Sequence, residues 1–422
     1  MQYKEKEIKK GIQLHEIQTE KFKTNLIAIF LTTPITRENV TKDALVSTVL
    51  RRGSKNMPTL AQISKEMEEM YGASFDCGID KTGDNHVLKF YIEAINDKFI
   101  AQKDENMLKT AIEKLLEIVF NPLTENDVFK EEYVAQEKEN IKRIINGRAD
   151  NKARYAFDRC VEEMYKEKPY GLYKYGYIED LDKITTKSLY EYYQKLISEC
   201  KIDIFVSGDI EQVNQIIENN EEIKKLPERD AIYVVNKIED KESAKENEVI
   251  EEMDVTQGKI TIGLDLHLEN VNQMYSAIIY NAILGGTANS KMFQEVREKA
   301  SLAYSAGSSY VRYKSNIFIK CGIEIKNYEK AMEIIKKQLE DMKNGVFSEE
   351  DIENAKKGII SAIKSIDDEQ DTEITYFFGQ ELTEVKTTLE EYMERINEVT
   401  REDIIKIAKS ITINTVYFLK NK

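Results

Sequence analysis

The chain repeats itself, and that constrains its fold more than any other feature. LTENDVFKEE, from Leu123, is similar to FSEEDIENAK, from Phe347, with Asp127 opposite Asp351 at an offset of 224 residues. Upstream, STVLRRGSKNMPTLAQISKEMEEMYGASF is similar to NAILGGTANSKMFQEVREKASLAYSAGS, which sets Gly53 against Gly286 at an offset of 233. Downstream, ITTKSLYEYYQKLI followed by KIDIFVSGD is similar to VTREDIIKIAK followed by INTVYFLKN, with Thr185 against Thr400 at an offset of 215. One such block arises by chance; three in the same order, each shifted by about half of 422 residues, point to two similar domains.

Each half mixes two periods. HVLKFYIEAI and NIFIKCGIEI alternate apolar and polar residues as half-buried strands do, whereas FKEEYVAQEKENIKRII and DIIKIAKSI carry apolar residues at three- and four-residue spacing, as amphipathic helices do. The expected fold is therefore α+β: two tandem homologous domains, each a mixed β-sheet packed on one side by helices. Thr124 before Glu125, Asn126 and Asp127 reads as a helix N-cap with acids in the first turn, and Ser348 before Glu349, Glu350 and Asp351 repeats the device. The charged stretch from Asn219 to Glu251 has few apolar anchors and reads as the boundary. The expected domains are thus 1–220 and 251–422, with a linker at 221–250.

Charge and composition remove several functions. With 61 Lys and Arg against 76 Asp and Glu, the net charge of −15 repels nucleic-acid phosphates and anionic membranes. The longest purely apolar run, Leu26–Leu31, falls far short of the ~20 residues that span a bilayer, and MQYKEKEIKKGIQ has no apolar signal-peptide core. A cytoplasmic location is expected, with neither nucleic acid nor membrane insertion. Cys77, Cys160, Cys200 and Cys321 form no C-x-x-C pair and read as reduced, structural thiols. His15 and His86 fall in strands and His267 at a turn, none with a second histidine or cysteine nearby in sequence, so all three read as structural. Gly285-Gly286 reads as a helix C-cap with positive φ, and Tyr190, Tyr192 and Tyr193 as core packing on a helix face.

The run LGGTANSKMFQEVREKASLAYSAGSS, from Leu284, resembles the C-terminal-half signature of the insulinase-like zinc metallopeptidases (family M16, with pitrilysin and the mitochondrial processing peptidase). The first half is similar to that family in the same order: Arg52-Gly53-Ser54 after a helix, Met70-Tyr71-Gly72-Ala73-Ser74, Asn121-Pro122, a long charged helix, Pro169-Tyr170-Gly171 and IFVSGD. The chain looks most like the zinc-site-lacking member of a bacterial gene pair whose sibling keeps the metal motif. The resemblance implies a His-x-x-Glu-His helix, where two imidazoles one turn apart hold zinc and the Glu takes a proton from its water. Those positions fall on Ala44, Ser47 and Thr48, and the family's third ligand falls on Ile144. Glu137, seven residues earlier, matches the family's supporting acid but reads by itself as a solvated surface charge. No zinc, and no other cofactor, is expected on this chain.

Two positions survive. The family's Arg and Tyr, seven residues apart, bind substrate backbone and help stabilise the oxyanion; here they are Arg297 and Tyr304. A guanidinium and a phenol are suitable donors to a carbonyl gaining negative charge. The competing reading pairs Arg297 with a neighbouring acid and packs Tyr304 between strand and helix. The resemblance further implies a homodimer, or a heterodimer with a zinc-bearing sibling, closing on an unfolded peptide that adds a strand to a sheet edge. The expected function is the Arg/Tyr substrate-binding subunit of a heterodimeric zinc peptidase; the alternative is a non-catalytic scaffold or peptide-binding protein in the maturation of a cytoplasmic protein.

Overall fold

The uninterrupted apolar run Leu26–Leu31 forms the middle of a strand buried on both faces, Thr24–Pro34. The structure, a computed structural model, describes residues 2–100, 106–238 and 245–422. They form two compact units, each assembled from separate stretches of chain. The first comprises Met1–Gly147, Leu172–Val234 and Asp367–Gly379; the second comprises Arg148–Gly171, Val235–Ile366 and Gln380–Lys422. Of the expected linker, residues 239–244 lie outside the described residues, while Glu221–Lys225 is helical and Asn247–Glu252 is a strand.

In the first unit, β1 (Gln2–Lys9), β2 (Ile12–Gln18), β3 (Thr24–Pro34), β4 (Ser74–Thr82), β5 (Asn85–Ile95) and β6 (Lys201–Gly208) form a mixed sheet in the order β1-β2-β6-β3-β5-β4. Ile27, Ile29 and Leu31 of β3 join a core with α1 (Val40–Leu50), α2 (Met107–Phe120), α3 (Glu131–Asn146) and α5 (Thr186–Glu199). Phe30 points to the opposite face, because alternate residues of a strand do. There it meets Phe205 at 5.6 Å and Phe378 at 4.3 Å between ring centroids. Phe378 belongs to α9 (Gln370–Glu381), so this sheet carries a helix on its second face as well.

The second unit repeats the plan with β7 (Asn247–Glu252), β8 (Gly258–Leu266), β9 (Ala303–Val311), β10 (Asn316–Ile323) and β11 (Ile411–Lys420), in the order β9-β10-β8-β11-β7. Read from β7, these strands match β2-β6-β3-β5-β4 one for one, including a single parallel pair at the same place, β2 with β6 and β7 with β11. Its helices include α6 (Gln273–Asn281), α7 (Tyr328–Lys343), α8 (Glu349–Lys364) and α10 (Arg401–Lys409). Phe318 and Tyr417 cluster with Ala156, Cys160 and Val161 of α4 (Lys152–Met164), a helix from the N-terminal half of the sequence. Beyond the expected helical layer, α4 and α9 each add a helix to one sheet, because both sheets present large apolar side chains on both faces.

The repeats also share their caps. Thr185 and Thr400 close capping boxes with Ser188 and Asp403, and Ser348 does so with Asp351. Thr124 does not cap a helix. Thr124–Glu125 pairs with Val128–Phe129 across Asn126 and Asp127, whose φ values of 54° and 60° are left-handed, and α3 begins only at Glu131. The detour takes Phe129 into the core, 5.2 Å from Tyr190 and 5.5 Å from Tyr193. Among the described residues, no helix is long and apolar enough to cross a membrane.

Candidate functional site

At the zinc-motif positions of α1 the side chains are committed to the helix itself. Ala44 is fully buried; Ser47 Oγ donates to the Ala44 carbonyl at 2.9 Å, and Thr48 Oγ1 donates to that of Leu45 at 3.0 Å. The neighbouring strand β4 brings Cys77, whose Sγ donates to the Ser47 carbonyl at 3.6 Å. Burial pushes this thiol up to about 12, so it is protonated at neutral pH and is a poor metal ligand. On α3, Ile144 is exposed and offers only hydrocarbon. A methyl, two helix-bonded hydroxyls and an isoleucine do not fit zinc, which takes Cys, His or carboxylate donors.

Glu137 is not the solvated charge that its sequence suggests. It is 6% exposed, ion-paired with the Arg52 guanidinium, and accepts from Asn140 Nδ2 at 3.0 Å. No spacing rule connects Arg52, in the turn that follows α1, to Glu137 on α3; the packing of α1 against α3 makes the pair.

The three histidines occupy separate, satisfied positions. His15, fully buried on β2, meets Tyr3 Oη through Nδ1 at 2.7 Å and Asp203 Oδ1 through Nε2 at 2.9 Å. Burial works to raise the Asp203 carboxyl, but Lys201 and His15 outweigh it and hold the group below its usual range. His86 lies between Asp43 Oδ2 at 3.0 Å and the Lys174 carbonyl at 2.9 Å. Tyr192, read from the sequence as packing alone, donates to the other Asp43 oxygen at 2.5 Å; Tyr193 donates to the Val119 carbonyl at 2.8 Å. His267 approaches Thr412 Oγ1 at 3.4 Å. Cys77, Cys160, Cys200 and Cys321 are all free thiols.

In the second unit, Met292–Lys299 winds as a π-helix and ends abruptly. Ala300 and Leu302 amides donate to the Glu295 and Val296 carbonyls, and Ser301, at φ 51°, turns the chain into β9. This turn buries Leu302 and leaves Arg297 and Tyr304 in solvent. Tyr304 is 63% exposed, so it does not pack between strand and helix. The Arg297 guanidinium lies over the Phe293 ring at 4.5 Å, with the Glu298 carboxylate 3.5 Å away. Strand β9 is an edge strand, and its pairing with β10 slips between Ala303 and Ser305, so Tyr304 stands at a bulge.

Gly285 and Gly286 correct another expectation, since neither has a left-handed backbone. Gly285 serves close approach instead: a Cβ there would stand 2.5 Å from the Ser308 amide nitrogen of β9.

Residues 183–359 match the family described as "Peptidase M16 inactive domain". Over 412 residues, the chain is 39% identical to the "Probable inactive metalloprotease YmfF" of Bacillus subtilis, covering 97% of this chain and 96% of that protein. It is 26% identical over 152 residues, 35% of this chain and 36% of the other, to the "Uncharacterized zinc protease YmxG" of the same organism. A conserved protein from Enterococcus faecalis is similar over 100% of this chain and 99% of its own, with a TM-score of 0.87 and 28% identity. A peptidase M16 inactive domain from Pseudomonas fluorescens has the same fold, with a TM-score of 0.79 at 14% identity and coverage of 100% and 99%. With the zinc-motif positions held by Ala44, Ser47 and Thr48, the chain belongs to the insulinase-like M16 metallopeptidase family as a catalytically incomplete member.

Proposed function

We propose that this chain binds an extended stretch of polypeptide at Arg297, Tyr304 and the edge of β9, as the metal-free subunit of a peptidase whose zinc and general base come from a sibling chain. The observation that carries this reading is the exposure of Tyr304 at a bulge on an edge strand. A large ring held in solvent beside unpaired backbone groups has no packing role to explain it, whereas a bound strand would cover it. Arg297, exposed on the preceding helical turn, supplies a second donor of the kind that stabilises an oxyanion. The presence in Bacillus subtilis of one relative named an inactive metalloprotease and another named a zinc protease fits a two-chain arrangement. The chain pairs with that sibling or with itself, and four free thiols fit a reducing, cytoplasmic compartment.

The test reconstitutes this chain with a zinc-bearing sibling and follows cleavage of unfolded peptides. Cleavage that requires both chains supports the reading. A sibling that neither binds this chain nor gains activity from it leaves the peptide-holding scaffold in its place.

A further inference from the structure

The second unit contains a cleft of about 480 Å³ at the far end of β9 from Tyr304. Its apolar wall is formed by Leu268, Val271, Met274 and Val385. Polar side chains, Asn236, Thr383, Tyr310 and Arg312 among them, complete the lining, and the last two are the ones without a matching partner among the described residues. Tyr310 Oη is buried without a hydrogen-bond partner of good geometry, and the Ser315 hydroxyl lies close enough to bias its ionisation. Arg312 stands beside it, half-buried, with the Tyr313 ring 5.4 Å from its guanidinium carbon, and makes no ion pair among the described residues. The cleft's other charges, Lys237 and Glu384, neutralise each other at 2.5 Å. A cleft in the volume range of small-ligand sites, about 300–1,000 Å³, therefore holds one uncompensated cation and one unsatisfied hydroxyl above an apolar floor.

We propose that this cleft receives the free C-terminal carboxylate of a peptide with an apolar last residue. The Arg312 guanidinium has the fork geometry for two parallel bonds to a carboxylate, Tyr310 Oη adds a third donor, and the apolar wall takes the terminal side chain. This inference rests on the peptide-binding reading, because the cleft and Tyr304 share one strand. Six residues separate Tyr304 from Tyr310 on β9, about 20 Å at ~3.3 Å per residue, so a strand lying on this edge reaches both.

The test measures fluorescence anisotropy of N-terminally labelled ten-residue peptides ending in leucine, as the free acid and as the amide, with unlabelled 4-methylpentanoate as competitor. The free acid is expected to bind about 10- to 100-fold more tightly than the amide, the range for hydrogen bonds to a charged group. Arg312→Ala should abolish that difference and leave amide binding unchanged, and Tyr310→Phe should reduce it without a change in thermal midpoint. Arg297→Ala should weaken both peptides alike. Binding of 4-methylpentanoate in a parallel calorimetric titration, with neither peptide bound, would support the carboxylate site and remove the peptide reading. Equal binding of acid and amide, loss of both on Arg312→Ala, or no binding of peptide or acid would overturn the proposal.

Discussion

The Arg52 guanidinium is ion-paired with the buried Glu137 carboxylate, at the place where the insulinase-like pattern puts an acid that supports zinc. A covalently attached cation thus neutralises the acid that a metal site would otherwise surround with positive charge. Breaking a buried pair leaves one charge without compensation and costs about 3–5 kcal/mol, whereas replacing both partners by apolar groups is often neutral. Arg52→Ala should lower unfolding stability in urea by about 3 kcal/mol, and Arg52→Met with Glu137→Leu should recover most of the loss. A single variant as stable as the parent would show that the pair contributes nothing.

The purified chain should carry no stoichiometric zinc and cleave no unfolded peptide by itself, since Ala44, Ser47, Thr48 and Ile144 supply neither ligands nor a base. Elemental analysis after dialysis checks this directly. One tightly held zinc per chain would redirect attention to His15, His86 and His267.

Changing Arg297→Ala or Tyr304→Phe in the reconstituted pair should lower turnover by roughly 10²–10³, the usual loss for one oxyanion donor. Both side chains are exposed, so stability should change by no more than about 0.5 kcal/mol. Turnover and thermal midpoint measured together separate the two effects. Unchanged turnover in both variants would reduce the pair to an inherited trace of the family.

Glu373 gives a pH dependence. Its side chain, on α9, is fully buried against β6, and burial raises the carboxyl to about 7, with the Ser207 hydroxyl donating to it at 3.1 Å. A carboxyl whose folded pKa lies above its unfolded value stabilises the fold at low pH and loses that contribution as pH rises through the folded pKa. The loss therefore begins above about 4.5 and is complete above about 7, amounting to roughly 3 kcal/mol at about 1.36 kcal/mol per unit. Glu373→Gln should match the parent near pH 4.5 and exceed its stability at pH 8. Parallel stability curves for the two proteins across that range would refute the assignment.

Much of this molecule is written locally. The repeat predicts two α+β halves because each block carries its own periodicity and caps, and Thr185, Ser348 and Thr400 cap helices as neighbouring residues dictate. The loss of the zinc motif is equally local, since ligands one helical turn apart are absent from Ala44 to Thr48. Other properties depend on which distant segments meet. The exchange of α4 and α9 between halves, the pairing of Glu137 with Arg52 and the hydrogen bond from Tyr192 to Asp43 follow no sequence spacing. Thr124 fails as a cap because Phe129 finds aromatic neighbours in the core, a long-range gain that outweighs a local helix start. Residue identity selects the elements, but burial and electrostatic pairing act through space, so only the folded chain decides whether Tyr304 is covered, Glu137 solvated or Arg312 matched by an acid.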